Sequence, residues 1–325
     1  MKQYIKSIKT ALICFLIVIS MNFLLPRLLP GDPVAYLTGF AEEEMTSAQY
    51  ADYRHALHLD EPVFRQFGFY LKSLVDGTLG YSYKKEAVVS ALILERLGFT
   101  LQITLPAVAL STVIGLMWGL HCGYRKGSLG DKLSSTALIV LNAVPTFVIA
   151  LVFIILFCFR NSWFPYTGIS SHGVEAGSAS YVLDRLHHLF LPVAALTAAT
   201  VPSRFLLMRN TAGKVAEEKY VLYAKERGLS PMKIKFGYIL PNIAQPFITM
   251  VGMSVSTCVG GSLVIENIFS IPGMGRLLTE AVYSLDYPLM QGILFVTTFI
   301  MVIAIVVTDA LCVFIDPKLR RGGAQ

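Results

Sequence analysis

Long runs of uncharged, apolar residues restrict most strongly what this chain can fold into. A helix needs roughly 20 such residues to cross a bilayer core about 30 Å thick. Lipid cannot hydrogen-bond backbone N–H and C=O groups, so each crossing segment must be helical. Six segments meet or approach that length: Ile8–Leu25, Leu97–Cys122, Leu133–Phe159, Leu189–Ser203 extended to Arg209, Ile239–Ile265 and Leu289–Ile315. The pattern predicts six transmembrane helices.

The composition also favours a membrane over water as solvent. Of the 325 residues, 54% are hydrophobic and 15% are charged, whereas soluble domains carry about 25% charged residues. The first apolar run could instead be a cleaved signal peptide, because Lys2, Lys6 and Lys9 precede it. The run continues to Pro30 without a small-x-small cleavage site. This continuation favours an uncleaved first helix.

Most of the 27 basic residues lie in alternate short loops if the N-terminus is cytoplasmic. The positive-inside rule therefore predicts that both termini are cytoplasmic. The net charge of +6 then faces anionic lipid heads and requires no nucleic acid partner. The five cysteines lie in or at the ends of the predicted spans, so we expect no disulfide framework.

The segment between the first two spans, residues 29–96, is predicted to be an external helical insertion. Apolar residues recur at helical spacing in Ala51–Leu59 and Val63–Leu74. A Gly31-Asp32-Pro33 turn opens the segment, and a glycine-containing turn at Asp76–Gly80 interrupts it.

The loop between the fourth and fifth spans has the pattern of a helix, a glycine and a second helix. Acidic residues stand near the start of Glu217–Arg227 and basic residues near its end, as suits a helix dipole. Gly228 can take the left-handed conformation that ends a helix, and Ser230-Pro231 suits the start of another. Such an elbow on the cytoplasmic face could dock a separate protein or be an ordinary connector, and spacing alone leaves both open.

Ionisable residues near the ends of the apolar runs also have two interpretations. Glu266, Asp309 and Arg204 could form a polar wall of a pathway or an interhelical pair. The favoured interpretation is that Arg204 extends to the cytoplasmic interface and that Glu266 marks the outer end of the fifth span. A glycine every fourth residue in the second span predicts close helix packing: Gly115, Gly119 and Gly123.

The elbow and several further motifs resemble the permeases of binding-protein-dependent ABC importers. Ala224, Gly228 and Tyr238-x-Leu240-Pro241 are similar to the cytoplasmic motif of that family, although Leu222 and Tyr223 replace the usual Glu and Ala. Other motifs resemble the dipeptide/oligopeptide/nickel branch and its first permease subunit: Leu28–Pro33, Leu57–Pro62, Gly77–Ser82, Phe164–Gly168, Gly260–Gly275, Asp286–Pro288 and Asp316–Arg320.

The resemblance implies functional positions. A coupling loop to the ATPase, at about residues 210–238, would include Tyr220, Ala224 and Gly228, and its motif would extend just beyond that range to Leu240 and Pro241. The family signature would comprise Gly31, Asp32, Pro33, Gly260, Gly261, Glu266, Pro272, Gly273, Gly275, Asp286, Pro288, Asp316 and Pro317.

The resemblance also implies a fold and partners. The fold would be the all-α type I permease fold, with residues 1–28 as tail and first helix, 29–96 as insertion and 97–325 as core. The partners would be a second permease subunit, two ATPase subunits and an external solute-binding protein. ATP and magnesium would bind the ATPase subunits, and this chain would bind no cofactor. In agreement, the sequence contains no G-x-x-x-x-G-K-[ST] phosphate loop.

Other functional classes fit less well. A secondary transporter would share the hydropathy, but repeated halves with broken helices are expected of it, and we find no convincing internal repeat. No G-x-S-x-G or H-E-x-x-H motif indicates an enzyme. The histidines lack ligand-like spacing, so we predict no metal site. The substrate stays open between peptides, nickel or other metal chelates and glutathione-like molecules.

Overall fold

A computed structural model of the protein describes residues 2–28, 32–38, 40, 44–171, 173, 177–256, 258 and 262–315. Helices dominate these ranges, which confirms the predicted helical class. The elements, in chain order, are α1 (Lys2–Leu28), α2 (Pro33–Thr38), α3 (Ser47–Ala56), α4 (Val63–Val75), β1 (Tyr81–Ser82), β2 (Ala87–Val88), α5 (Val89–Tyr124), α6 (Leu129–Asn142), α7 (Thr146–Phe153), α8 (Ala179–Ala216), α9 (Lys219–Glu226), α10 (Pro231–Ile234), α11 (Ala244–Ser256), α12 (Leu263–Ile268), α13 (Met274–Tyr283) and α14 (Tyr287–Ile315).

The segment after the first helix contains the helices that its periodicity predicts. Thr46 caps α3 in a reciprocal capping box with Gln49. After α4 the chain turns through Gly77 and Gly80, both with positive φ. The short antiparallel pair of β1 and β2, which we did not predict, follows this turn. Strands of two residues are too short to leave a periodic signal in the sequence.

Helices α5 and α8 pack against each other along the glycine stripe, so this predicted contact is confirmed. A Cβ added to Gly119 would lie 2.7 Å from Met208 Cβ, and one added to Gly123 would lie 2.8 Å from Ala212 Cβ. At Gly115 the corresponding neighbour is Arg204 Cβ, at 2.6 Å. Since real Cβ atoms do not approach this closely, only glycine permits the observed backbone separation.

Helices α6 and α7 occupy the predicted third span and are bent by 99° relative to each other. The bend falls before Pro145, which stands at the N-cap of α7 and disfavours helical geometry in the residue preceding it. Beyond α7 the chain continues as a π-helical turn, Ile154–Arg160. Buried Asp131 ties α6 to α8, because Arg209 donates to its carboxylate from Nη2 at 2.6 Å and from Nε at 2.8 Å.

The number of helices long and apolar enough to span a membrane is smaller than six within the described ranges. Three qualify, α5, α8 and α14, and the bent pair of α6 and α7 would make a fourth. The apolar stretch of α1, Leu12–Leu24, and the whole of α11 are shorter. The predicted fifth span, Ile239–Ile265, is divided between α11 and α12. The six-span count and the external placement of residues 29–96 stay predictions.

Candidate functional site

The predicted elbow between the fourth and fifth spans is built from α9, a glycine turn and α10. Gly228 has a φ of 72°, which confirms the predicted left-handed helix end. Its N–H donates to Lys225 O at 2.9 Å, and Leu229 N donates to Ala224 O at 3.2 Å. These two bonds form a Schellman motif, in which the carbonyl groups at the end of a helix are satisfied by the following turn.

The second half of the elbow also begins as predicted. The Ser230 side chain accepts a hydrogen bond from Lys233 N at 3.3 Å, and Pro231 occupies the first turn of α10. A π-helical turn at Lys235–Ile239 and a 3₁₀ turn at Leu240–Ile243 follow. Pro241 has no N–H to donate, so a regular α-helical ladder cannot continue through it.

One side of the elbow is anchored in the protein. Val221 and Ala224 are buried in an apolar cluster that includes Met208 and Ala212 of α8 and Ile239. Half-buried Leu240 packs against the same cluster. Helix α9 therefore rests directly on α8.

The other side of the elbow is open. Tyr220, Leu222 and Tyr223 of α9 are exposed, with Tyr223 at 61% of its full accessible area, and Met232 and Phe236 in the second half of the elbow are exposed as well. We call these five residues the elbow surface. Exposed aromatic and apolar side chains of this kind are typical of a surface that contacts another protein or the membrane.

Basic side chains surround the elbow. Lys225 Nζ lies 5.0 Å from the centroid of the Tyr124 ring, and Lys235 Nζ lies 6.0 Å from it. Lys126 donates to Glu217 Oε1 at 2.8 Å and holds the pKa of that exposed carboxyl below its ordinary value. Glu217, Glu218 and Glu226 lie in the same segment, so the elbow carries charges of both signs.

A second polar site surrounds Glu266, which is fully buried. Its Oε1 accepts hydrogen bonds from Thr100 Oγ1 at 2.8 Å and from Ser262 Oγ at 2.5 Å. Its Oε2 accepts from the backbone N–H groups of Gly275 at 2.7 Å and Arg276 at 3.1 Å. Four donors on one carboxylate tie α5, α12 and α13 together.

The alternative interpretation of Glu266 as a partner in interhelical contacts is therefore met, and its position at the outer end of the fifth span stays a prediction. Three of its donors lie within ten residues in the chain, whereas Thr100 of α5 lies 166 residues away, and no local pattern reveals that contact. Several predicted signature residues surround it. A Cβ added to Gly273 would collide with the Glu266 carboxylate, and one added to Gly275 would collide with Leu263. Pro272 lies in the turn that precedes Gly273.

Two further signature positions enclose other buried contacts. Asp286 is buried, and its carboxylate accepts hydrogen bonds from Ser82 Oγ and from Leu289 N. Burial raises the pKa of the Asp286 carboxyl, although both hydrogen bonds oppose this rise. Pro288 is buried beside it at the start of α14. Sequence reasoning missed Ser82 as the partner, although its motif, Gly77–Ser82, was identified.

The first signature motif is described in part. Asp32 accepts hydrogen bonds from Val34 N and Ala35 N, each at 3.3 Å, and Pro33 begins α2. Tyr50 also donates to Asp32 Oδ1 at 3.0 Å. The other predicted signature residues lie outside the described residues: Gly31, Gly260, Gly261, Asp316 and Pro317.

Arg204 is a third buried polar group, and the prediction that it extends to the cytoplasmic interface is wrong. Arg204 belongs to α8 and is 6% exposed. It lines a cavity that α8 forms with α5 and α11. Its Nη2 donates to Ser254 Oγ at 2.9 Å. The close approach at Gly115 fixes the Arg204 Cβ against α5. The hydrogen bond to Ser254 joins its guanidinium to α11.

Comparison with known proteins agrees with this architecture. Residues 111–321 match the family described as binding-protein-dependent transport system inner membrane component, and residues 1–104 match its N-terminal family. The "Probable peptide ABC transporter permease protein y4tP" of Sinorhizobium fredii is 31% identical over 92% of each chain. The "Di/tripeptide transport system permease protein DppB" of Pseudomonas aeruginosa is 32% identical over 93% of each chain.

The family description and the apolar helices together establish a multi-pass membrane location. The matches extend over nearly the whole chain, and the larger one includes both the elbow and the Glu266 site. The chain belongs to the family of inner membrane components of binding-protein-dependent transport systems, the permeases of ABC importers.

Proposed function

We propose that this chain is one of two permease subunits of an importer that takes up short peptides, driven by ATP hydrolysis in two separate subunits. The names of its relatives support peptides as the substrate class. Family membership favours this mechanism over a secondary transporter, because the family depends on a binding protein. No observation favours a nickel chelate over a peptide.

The observation that carries the proposal is the elbow surface. A helix whose one side is buried against α8 and whose other side exposes Tyr220 and Tyr223 can transmit a partner's movement into the membrane helices. We propose that an ATPase subunit, which would hold ATP and magnesium, receives this surface in a cleft. Closure of the two ATPase subunits around nucleotide would then tilt α8 and α11 and switch the pathway between outward-open and inward-open.

The remaining topology follows from the same proposal. The elbow, at about residues 210–238, would face the cytoplasm, as would both termini. Residues 29–96 would face outward, where an external solute-binding protein delivers the peptide, and residues 97–325 would form the core. The described signature residues, of which Glu266 joins α5, α12 and α13 and Asp286 joins β1 to the start of α14, would keep this core rigid during the switch.

Substitution of Tyr223 by Ser tests the docking surface. An exposed aromatic anchor contributes about 2 kcal/mol or more to a protein interface, so ATPase binding should weaken about thirtyfold, measured by titration of the ATPase onto the purified permease pair. Tyr283→Ser is a matched control, because Tyr283 is an exposed tyrosine on α13. Equal binding by the two variants would contradict the docking role.

Substitution of Gly228 by Val tests coupling. A β-branched residue at a φ of 72° is strained, so the elbow should change shape and ATP hydrolysis should continue without peptide uptake. Gly77→Val introduces the same strain at a φ of 74° in the predicted external segment and should leave uptake per ATP unchanged. Unchanged coupling in Gly228→Val, or labelling of a Tyr223→Cys variant from the outside, would refute the proposal.

A further inference from the structure

Arg204 is a buried cation that the protein leaves incompletely satisfied. Besides the bond from Nη2 to Ser254, its Nε has no hydrogen-bond partner in the described part of the chain. No carboxylate among the described residues pairs with its guanidinium. A buried charge without a counter-charge is costly, so this arrangement is expected where a ligand supplies the missing charge.

The guanidinium lines a small cavity of about 80 Å³ between α5, α8 and α11. The other polar groups of this cavity are Thr104, Thr200, Ser254 and Cys258. The two threonine hydroxyls donate to backbone carbonyls of their own helices, at 2.9 Å for Thr104 and 2.8 Å for Thr200. Arg204 is thus the charged residue among those that line the cavity, Ala107, Val108 and Leu196 make the rest of its wall apolar, and the volume has room for a carboxylate.

A larger groove adjoins the cavity. It has a volume of about 700 Å³ and is lined by Leu207 and by one side of α11 that includes Met250 and Met253. Ser254 lines both spaces. Flexible methionine side chains adapt to apolar groups of different shapes, and the volume lies in the range of small-ligand sites.

We propose that the Arg204 cavity and the adjoining groove together form a transient site for a peptide in transit. The cavity binds the C-terminal carboxylate through the Arg204 guanidinium, and the methionine-lined groove accepts the peptide side chains with little selectivity. This inference rests on the proposed function and names the group by which the permease itself recognises its substrate. A phosphate of an anionic lipid shares the required charge, so the test must distinguish the two sources.

The test compares uptake of leucyl-leucine and leucyl-leucine amide by the complete transporter in phosphatidylcholine proteoliposomes, supplied with its binding protein. The ratio of the two rates is measured for the wild type and for Arg204→Met. Any preference of the binding protein for one peptide affects the wild type and Arg204→Met equally, so it cancels when the two ratios are compared. A charge-assisted contact to the carboxylate predicts that the ratio of acid to amide falls about tenfold in Arg204→Met.

Two further variants keep the test decisive if Arg204→Met assembles poorly. Arg204→Lys retains the positive charge and should retain most of the preference for the acid. Ser203→Ala, which changes an exposed neighbour on α8, should change neither rate. An unchanged ratio in Arg204→Met or loss of the preference in Ser203→Ala would overturn the proposal.

Liposomes that contain phosphatidylglycerol provide the lipid arm. If the lipid phosphate were the natural occupant, the acid preference of the wild type would disappear in these liposomes, which would also overturn the proposal. If both peptides are taken up and the acid-to-amide ratio does not depend on Arg204, the proposed peptide function stands and only this site is refuted. A transporter that moves neither peptide would refute the proposed function and the site with it.

Discussion

Glu266 and Arg204 are both buried charges, but the protein treats them differently. Glu266 accepts hydrogen bonds from four donors on three helices. Arg204 donates from Nη2 to one hydroxyl, and its Nε lacks a partner among the described residues. A fully satisfied charge stabilises one arrangement of the helices, whereas an incompletely satisfied one is available to a ligand. The contrast separates a structural site from a candidate functional one.

The largest effect is expected at the satisfied charge. Glu266→Ala would leave two backbone N–H groups and two hydroxyls without an acceptor inside the fold. The free energy of unfolding should fall by about 3–5 kcal/mol, measured by chemical unfolding in detergent micelles. Glu95→Ala removes an exposed carboxylate from α5 and should change the free energy by less than about 0.5 kcal/mol. If the free energy of unfolding falls only slightly in Glu266→Ala, the distinction between Glu266 as a structural site and Arg204 as a functional one would be lost.

The next effect is expected where α5 supports Arg204. Gly115→Ala places a Cβ 2.6 Å from Arg204 Cβ and should push α8 away from α5, at a cost of about 1–3 kcal/mol. Gly98→Ala is the matched control in the same helix, because no atom lies within 4 Å of its added Cβ. The control should be neutral or stabilising by up to about 1 kcal/mol. Similar melting temperatures for the two variants would show that the close approach is not required.

A smaller change in stability is expected at the unsatisfied charge itself. Arg204→Met removes a costly buried cation and keeps most of the side-chain volume. The free energy of unfolding should therefore rise or stay within about 1 kcal/mol of the wild-type value, while peptide uptake falls. A loss of stability as large as that of Glu266→Ala would assign Arg204 to the structural framework.

The smallest effect on stability is expected at Asp286, a buried carboxylate that accepts hydrogen bonds from two donors. Burial raises its pKa in the folded state above the unfolded value. The group therefore favours folding below the unfolded pKa, and this contribution is lost as pH rises through the folded pKa. As the pH rises through that range, the unfolding temperature of the wild type should fall relative to that of Asp286→Asn. Parallel pH profiles of the two proteins would contradict the raised pKa.

Local features of this fold were predictable from sequence, and long-range pairings were not. The left-handed Gly228, the Ser230 cap and the glycine stripe of α5 depend on neighbours in the chain or on a single helix face. Arg204 was misplaced because its partner Ser254 lies 50 residues away, and the contact of Glu266 with Thr100, 166 residues away, was not foreseen. The division of the fifth predicted span between α11 and α12 was missed because the absence of charged residues was given more weight than the adjacent glycines of Gly260-Gly261.

The close approach of α5 and α8 also determines how far a movement can travel. Ala216, next to the elbow, and Arg204 are twelve residues apart on α8, about 18 Å along the axis at 1.5 Å per residue. Backbones that touch without intervening side chains have no compressible layer between them. A movement of α8 imposed beside the elbow would therefore be carried along the α5–α8 pair to Arg204, and it would change the distance between Arg204 and Ser254 of α11.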